Sequence, residues 1–466
     1  MSRHPLVLAL AFALLPATAH AEDLLQTYEL ARSGDPQYSA AESNRLFIRE
    51  GSVQARALLL PQIGGEASLS RSRSTSPATD PLTDERIGGD VETEITSRDL
   101  SVNVRQMVYD HSSITRLRSA NALSQASDFQ LDSASDSLIT RTSAVYFDVL
   151  VQLETLAAAE AAETALKKQF DFASKRLEVG LAPITDVHEA RAQYDTARAN
   201  TIIARNAVED SYQALRELTG QPVSNLKGLP EDFKPSLPES TGADHWVETA
   251  VANNPALKAK ELELKSAEAN VGTARAGHYP TLYLGGGYKD SKSWGDSTFG
   301  SITESIPDSE SHGPFLGLTL SVPIFAGGAT QSGVRQALAQ RDITQDELEQ
   351  QKRALDRNTR NAYQTLVAGI SEVEARRLTL VSARAAYDAS QVGLEVGTRT
   401  VLDVLTNQQN LFRAQLAYAQ TRYNFLQNRL LLEQAAGTLD VDDLQDINRL
   451  LTANTEAAVA SPPPAQ

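Results

Sequence analysis

The segment Leu177-Glu178-Val179-Gly180 recurs 217 positions later as Leu394-Glu395-Val396-Gly397. Four other matches occur in the same order at offsets of 217 or 219 positions: Gly34-Asp35-Pro36 with Asn253-Asn254-Pro255, Pro61 with Pro280, Thr185-Asp186-Val187 with Leu402-Asp403-Val404, and Leu218-Thr219-Gly220 with Ala435-Ala436-Gly437. Several matches at nearly one spacing are typical of an internal repeat. We therefore interpret the chain as two copies of one structural unit.

Each copy is predicted to contain, in order, a helix, a pair of strands and two long helices. Glycine, proline and clusters of small polar residues mark the boundaries. The predicted segments are a signal peptide at 1–21, a first repeat at 22–220 (strands near 62–72 and 98–109, long helices at 112–179 and 184–218), a linker at 221–243, a second repeat at 244–437 (strands near 281–290 and 313–325, long helices at 329–395 and 401–436), a short helical segment at 438–451 and a disordered tail at 452–466.

The N-terminus has the features of a secretory signal peptide. Arg3 and His4 give a basic start, Leu6 to Leu15 form an apolar core, and Ala19-His20-Ala21 fits the small-residue cleavage rule. The apolar run has about ten residues, too few for a helix across a bilayer of about 30 Å. We expect the exported chain to begin at Glu22.

Composition excludes several classes of protein. The chain has no cysteine, so thiolate metal sites and cysteine nucleophiles are excluded, and its net charge of −16 argues against nucleic-acid binding. Beyond the signal peptide no run of about 18 apolar residues predicts a membrane helix. An exported chain of this kind is either soluble in the periplasm or crosses the outer membrane as a β-barrel.

The predicted strands alternate apolar and polar residues. Leu316, Leu318 and Leu320 alternate with Gly317 and Thr319, and the other predicted strands follow the same rule. Segments of about ten residues suit tilted strands that cross a bilayer. The polar stretches between paired strands, at 72–96 and 289–312, are predicted to be loops. Hairpins of a soluble sandwich are the alternative, but four strands in a mostly helical chain have no second sheet to pack on.

The predicted helices are unusually long. Residues 111–178 contain neither proline nor glycine, so at 1.5 Å per residue this helix would extend about 100 Å. The column Val404, Leu411, Tyr418, Phe425 and Leu432 repeats every seven residues. Such columns are typical of helix packing, here with neighbours on both sides, as in a helical wall.

Four strands are too few to close a membrane barrel, and lipid does not tolerate open sheet edges. The chain must therefore assemble with copies of itself. Two copies would supply eight strands and an almost filled barrel, whereas three would supply twelve and leave room for water. Composition leaves both possibilities open.

Three motifs resemble the TolC-type outer-membrane efflux proteins over essentially the whole chain to about Leu451. They are Val322-Pro323-Ile324-Phe325-Ala326-Gly327-Gly328, Ile184-Thr185-Asp186-Val187 and Val396-Gly397-Thr398-Arg399-Thr400. The resemblance implies a homotrimer with a twelve-stranded outer-membrane β-barrel that continues into a periplasmic α-helical barrel closed at its tip. The implied partners are a periplasmic adaptor protein, an inner-membrane RND pump or ABC exporter, and outer-membrane lipid. The implied function is export of small toxic compounds, secreted proteins or both, without catalysis or a cofactor.

By the same resemblance, residues of the two Val-Gly turns would contact the adaptor. These residues are Val179, Gly180, Leu181, Ala182, Val396, Gly397 and Thr398. Helix-hairpin turns without a partner are the plainer interpretation, because glycine also serves to reverse a chain between helices.

The resemblance also predicts a gate beside those turns. Arg399 would contact Thr185 and Asp186 across neighbouring coils and hold the entrance shut, and Asp403 would form an acidic ring at the constriction. The sequence departs from the family pattern at two positions. Leu394 replaces a tyrosine that helps to latch the closed state, and Thr406 replaces a second acidic residue. Ordinary surface charges are the alternative interpretation.

Two other classes of protein are considered. A periplasmic coiled-coil adaptor would also have long helical hairpins, but it would carry a domain of many short strands that this sequence lacks. An enzyme is disfavoured because the seven histidines are scattered and no HExxH, GxSxG or P-loop motif is present.

Overall fold

The computed structural model describes residues 23–79, 82–83, 85–230, 232–237 and 242–454. The predicted signal peptide at 1–21 and residues 455–466 of the predicted tail lie outside this range. In chain order the elements are α1 (Leu24–Gly34), α2 (Pro36–Ala57), β1 (Gln62–Thr79), β2 (Arg86–Tyr109), α3 (His111–Glu178), α4 (Ile184–Thr219), β3 (Lys227–Gly228), α5 (Ala243–Asn253), α6 (Pro255–Arg275), β4 (Thr281–Phe299), β5 (Ile302–Ser321), α7 (Ala329–Glu395), α8 (Val401–Ala436), α9 (Val441–Leu450) and β6 (Ala453–Asn454).

Long helices dominate the chain. Helices α3 and α7 contain 68 and 67 residues, and α4 and α8 contain 36 residues each. All four begin and end within one residue of the predicted bounds. Among the described residues no helix is both long enough and apolar enough to span a membrane.

Two short helices were not predicted, α1 and α5, each of 11 residues. Helix α1 is stabilised by Asp23, whose side chain accepts the backbone N–H of Gln26 at 2.9 Å. Its buried residues Leu24, Tyr28 and Ala31 lie on one face.

The junction that follows each short helix is built in the same way in both halves of the chain. Before α2 the Asp35 carboxylate accepts the N–H of Tyr38 at 3.2 Å, and before α6 the Asn254 side chain accepts the N–H of Leu257 at 3.0 Å. Both caps precede a proline at the first helical position, where proline fits because its missing N–H has no partner inside the helix. The second junction lies 219 positions after the first (254 − 35).

The described residues form one compact unit from 23–44, Phe129–Lys258 and 349–454, and a second from Arg45–Asp128 and Ala259–Leu348. The core of the first unit is made by apolar residues of several helices and of the segment after α4. Its largest fully buried side chains include Tyr146, Tyr423, Leu24, Leu150, Leu215, Leu226 and Leu430.

The segment at 221–243, predicted to be a linker, packs into this core. Tyr146 Oη accepts the N–H of Lys227 and donates to its carbonyl, each at 3.0 Å. The buried Arg422 donates two hydrogen bonds to Glu154, at 3.0 and 2.8 Å, and one to the carbonyl of Pro230 at 3.0 Å. Ala453 and Asn454 pair with β3 as strand β6, so the start of the predicted disordered tail is ordered.

The second unit contains an antiparallel sheet with strand order β1-β2-β4-β5. Its strands extend well beyond the predicted ones, and the stretches at 72–96 and 289–312 are largely strand rather than loop. Their polar side chains pair across strands: the Arg73 guanidinium lies 2.9 Å from Glu92 and 3.1 Å from Glu94. Such cross-strand pairs stabilise strands whose side chains are mostly polar. These strands lack the alternation of apolar and polar residues on which the prediction relied. The predicted strand near 313–325 ends earlier, at Ser321.

Candidate functional site

The turn between α3 and α4 reverses the chain at what we call the first tip, residues 176–183. Gly180 has φ of +74°. Its N–H donates to the carbonyl of Leu177 at 2.9 Å, and the N–H of Leu181 donates to the carbonyl of Arg176 at 2.7 Å. This pair of bonds around a left-handed glycine is the Schellman arrangement that ends helices.

The second tip, residues 393–400 between α7 and α8, repeats this turn. Gly397 has φ of +77°. Its N–H donates to Leu394 at 3.2 Å, and the N–H of Thr398 donates to Gly393 at 2.8 Å. All four positions lie 217 residues after their counterparts. The two tips therefore share one backbone conformation as well as one sequence motif.

The residues predicted to contact an adaptor form the outer surface of these turns. Val179, Leu181 and Val396 keep 68%, 67% and 67% of their surface exposed. The other predicted contact residues are exposed or half-buried: Gly180, Ala182, Gly397 and Thr398. Exposed apolar side chains on a turn are available to a partner.

A small apolar cluster joins the helices that carry the tips. Leu166 of α3, Ala197 of α4 and Leu405 of α8 are buried together. The half-buried Tyr194 and Val401 pack against them. Since Val401 is the first residue of α8, the cluster fixes the start of that helix against the first hairpin.

The predicted latch residues lie at the two tips but do not meet within one chain. Thr185 and Asp186 are in the first turn of α4, where Thr185 is exposed and Asp186 is half-buried. Arg399 is exposed in the second tip. Among the described residues, no ion pair or hydrogen bond joins Arg399 to either of them. The predicted contact runs between neighbouring coils of an assembly, so it stays a prediction.

Asp403 takes part in a capping box at the start of α8. Its carboxylate accepts the N–H and the hydroxyl of Thr400, both at 2.9 Å, and the Thr400 hydroxyl accepts the N–H of Asp403 at 3.2 Å. The Thr400 N–H is the main cause that lowers the pKa of Asp403, followed by the Thr400 hydroxyl, with a smaller contribution from the charge of Arg399. The carboxyl therefore stays ionised at neutral pH.

Thr400 was not singled out from the sequence, although a signal for it was present. Thr400-Val401-Leu402-Asp403 is a Thr-x-x-acid pattern directly before a helix, which is the signature of a capping box. The family resemblance predicts a role for the charge of Asp403, and the capping pattern shows that the same residue also organises the start of the helix.

A groove of about 460 Å³ lies among α3, α4 and α8 behind the tips. It is lined mostly by alanines and other apolar residues, and its charged lining residue is Arg413. Acid–base catalysis needs a group that titrates near the working pH. No histidine, aspartate, glutamate or lysine lines this groove. In the described part of the chain, no group of three or more histidine, aspartate and glutamate residues could hold a metal ion.

Comparisons with known proteins agree with this architecture. A family model described as "Outer membrane efflux protein" matches residues 27–221 and again 246–438. The outer membrane protein TolC of Vibrio cholerae is 31% identical over 444 residues, which are 95% of this chain and 97% of that protein. The alkaline protease secretion protein AprF of Pseudomonas aeruginosa is 29% identical over 438 residues, which are 93% of this chain and 88% of that protein.

The fold also matches a solved structure. The crystal structure of the Campylobacter jejuni CmeC outer membrane channel superposes with a TM-score of 0.72 at 18% identity, covering 92% of this chain and 90% of that one. At this identity the match supports the fold alone. Both kinds of comparison match an outer-membrane channel and give no support to the alternative of a periplasmic adaptor.

Proposed function

The chain belongs to the outer membrane efflux protein family, whose members are transport channels rather than enzymes, and from this premise we propose that three copies form one export channel. The proposed substrates are small toxic compounds, secreted proteins or both. They would be delivered by an inner-membrane RND pump or ABC exporter through a periplasmic adaptor. The name of the relative AprF refers to protease secretion, which supports the secreted-protein class.

The open four-stranded sheet is the observation that carries this proposal. Strands β1 and β5 lie at its two ends, so each has one edge that no other strand of the described residues pairs with. Open edges are not tolerated in lipid, and four strands are too few for a barrel. Three chains would close twelve strands around a water-filled lumen.

The apolar face of the sheet supports a lipid environment. Leu316, Leu318 and Leu320 keep 79%, 63% and 63% of their surface exposed, and Ile63 and Leu69 keep 73% each. These side chains alternate with polar ones along the strands, as expected for a barrel wall with lipid outside and water inside. A soluble sheet would leave this apolar face without cover.

The internal repeat predicts how neighbouring chains would pair. Within the two hairpins Glu66 pairs with Ser101, and Gly285 pairs with Gly317. Pro61 and Pro280, which directly precede β1 and β4, set the offset between these strands at 219, so Gly285 corresponds to Glu66. The partners of these two residues then place β5 at an offset of 216 from β2 (317 − 101). If the seam between chains repeats the seam between the two halves of one chain, its register follows from these offsets.

The seam inside the chain pairs β2 with β4, and there Val102 lies opposite Tyr288. In the proposed seam, β5 of one chain takes the place of β2, so Val102 becomes Leu318 (102 + 216). Strand β1 of the next chain takes the place of β4, so Tyr288 becomes Leu69 (288 − 219). Leu318 of one chain would therefore lie opposite Leu69 of the next. Both side chains belong to the exposed apolar face. The transferred register thus keeps apolar residues on one side across the proposed seam, as a continuous lipid-facing surface requires.

The gate is proposed at the tips. Arg399 would contact Thr185 and Asp186 of a neighbouring coil and keep the periplasmic entrance closed, and Asp403 would supply one carboxylate per chain to a ring at the constriction. Carboxylates that converge on a narrow axis attract cations and repel anions. The exposed apolar residues of both tips would receive the adaptor.

Fractionation, mass measurement and conductance test the proposal together. The protein is expected in the outer membrane, with the native mass of three chains and a low resting conductance after reconstitution into a planar bilayer. Crosslinking in membranes before purification should retain an adaptor and an inner-membrane transporter. A monomer, or a protein found with the inner membrane or in the soluble periplasm, would contradict the proposal.

A further inference from the structure

The two tips share a backbone turn but carry their arginines at opposite ends of it. The first tip has Arg176 in the last turn of α3 and Ala182 after the turn. At the equivalent positions, 217 residues later, the second tip has Gly393 in α7 and Arg399 after the turn. Each tip therefore has one large basic residue and one small residue, in exchanged places.

In the first tip the arginine is held by its own turn. Arg176 Nη2 donates to the carbonyl of Leu181 at 3.3 Å, and the guanidinium lies 5.6 Å from the centre of the Phe172 ring. A cation over an aromatic face is attracted by the ring. The guanidinium of Arg176 is thus used to close the turn that it belongs to.

In the second tip the arginine occupies the space that a side chain at position 393 would need. A Cβ atom built on Gly393 would lie 2.6 Å from Cγ and 3.2 Å from Cβ of Arg399. Contacts of less than 3.0 Å essentially never occur for a real Cβ. The Gly393 carbonyl also accepts the N–H of Arg399 at 3.1 Å. The stem of Arg399 therefore rests directly on the glycine.

The backbone gives no other reason for this glycine. Gly393 lies inside α7 and has no positive φ, unlike Gly397 in the turn itself. Glycine inside a helix is less stable than alanine because it has more conformational freedom to lose. The missing side chain thus leaves room for Arg399.

We propose that Gly393 is a positioning residue for Arg399. The space left by its missing side chain lets the second tip, and not the first, present a guanidinium at the channel entrance. The inference rests on the proposed gate. An alanine at position 393 would push the Arg399 stem away from the helix and move its guanidinium from the place where it would meet Asp186 of a neighbouring coil. The effect of Gly393 therefore passes through Arg399.

Conductance of the full-length protein in planar bilayers tests this as a double-mutant cycle. Gly393→Ala is expected to raise the resting conductance by up to about fivefold, the same as is expected for Arg399→Ala, since each would remove an exposed ionic contact. The double variant is expected to match Arg399→Ala, because the one atom closer than 3.0 Å to an alanine Cβ at position 393, Cγ of Arg399, is then absent. The contacts that remain, to Cβ of residue 399 at 3.2 Å and to Oγ1 of Thr398 at 3.3 Å, need only a small adjustment. Gly333→Ala is the matched control in the same helix, since a Cβ there meets nothing within 4 Å.

The outcomes separate the inference from the gate on which it rests. Wild-type conductance in Gly393→Ala together with raised conductance in Arg399→Ala would overturn the positioning role and leave the gate intact. A double variant that conducts more than Arg399→Ala would show that Gly393 acts independently, which also overturns the inference. Unchanged conductance in Arg399→Ala would remove the gate itself.

Trimer formation and thermal unfolding are measured for every variant. A folding defect of Gly393→Ala that Arg399→Ala fails to relieve would also count against the inference.

Discussion

Thr400 and Asp403 cap each other at the second tip. The carboxylate of Asp403 accepts the N–H of Thr400 at 2.9 Å, while the hydroxyl of Thr400 accepts the N–H of Asp403 at 3.2 Å. One carboxylate thus organises the first turn of α8 and is also the proposed charge at the constriction. These two roles can be separated, because an amide oxygen can accept a hydrogen bond but carries no charge.

Asp403→Asn is expected to keep the helix start and to lose the charge. Block of the channel by multivalent cations should weaken, while thermal stability should change less than in Asp403→Ala, which also loses the cap. Single-channel recordings with and without a trivalent cation measure the block. The same block in wild type and Asp403→Asn would remove Asp403 from the constriction.

The pH dependence of this block follows from the lowered pKa of Asp403. Because hydrogen bonds from Thr400 favour the charged form, the carboxylate is protonated at a lower pH than an ordinary aspartate, whose pKa is about 3.9. The wild-type block and the stability from this cap should therefore be lost at a lower pH than an ordinary aspartate would give, whereas the block in Asp403→Asn should show no such transition.

Arg399→Ala and Asp186→Ala are each expected to raise the resting conductance of the reconstituted channel. An exposed ion pair contributes at most about 1 kcal/mol, so the expected rise is at most about fivefold for each variant. Arg191→Ala is a matched control, because Arg191 is on α4 and pairs locally with Asp195 at 3.7 Å. Wild-type conductance in both test variants would contradict the latch.

The parts of the fold that sequence predicts well are those with a strong local signal. The long helices follow from the absence of proline and glycine over 111–178, and the two tips follow from the repeated Val-Gly motif. The family resemblance predicted a TolC-type channel, and the matches to the outer membrane efflux family confirm it.

What the sequence does not predict depends on contacts between distant residues. The polar ends of the strands contain pairs such as Arg73 with Glu92, which lie 19 positions apart and have no periodic signature (92 − 73). The burial of Leu226 in a segment predicted to be a linker depends on helices from several parts of the chain. Likewise, Gly393 is an ordinary helix glycine until Arg399 is placed against it.

A disulfide tests the proposed register between chains. The natural chain has no cysteine, so Leu318→Cys with Leu69→Cys introduces the pair without a background. Directly opposite residues in antiparallel strands have Cα atoms about 4.5–5.5 Å apart, within the range for a disulfide. After oxidation most chains should migrate as a covalent trimer, and a reductant should convert this trimer back to single chains.

The matched control for this register is Leu316→Cys with Leu69→Cys, which shifts one partner by two residues and should crosslink poorly, since diagonal neighbours lie about 7–8 Å apart. Efficient crosslinking of the control but not of the test pair would refute the register while leaving the trimer in place. A ladder that continues beyond three chains would refute a closed ring.

The pKa of Glu433, near the end of α8, predicts how the stability of the fold depends on pH. Burial raises its pKa to about 7, and the nearby charges of Asp443 and Asp440 act in the same direction, while Arg429, which pairs with it at 3.0 Å, opposes them. Because the folded pKa is above the unfolded value of about 4.5, the folded chain holds a proton that the unfolded chain releases. The contribution of Glu433 to stability is therefore greatest below pH 4.5, and this contribution is lost as the pH rises towards about 7.

Glu433→Gln removes this titration and should stabilise the protein more at pH 8 than at pH 5. The difference is at most on the order of 3 kcal/mol per chain, because the folded pKa of about 7 lies above the unfolded value of 4.5. Thermal unfolding at the two pH values measures it, with Glu372→Gln as the control because Glu372 is an exposed member of a local pair with Arg376. Equal stabilisation of Glu433→Gln at both pH values would show that Glu433 is ionised throughout this range, with Arg429 outweighing its burial.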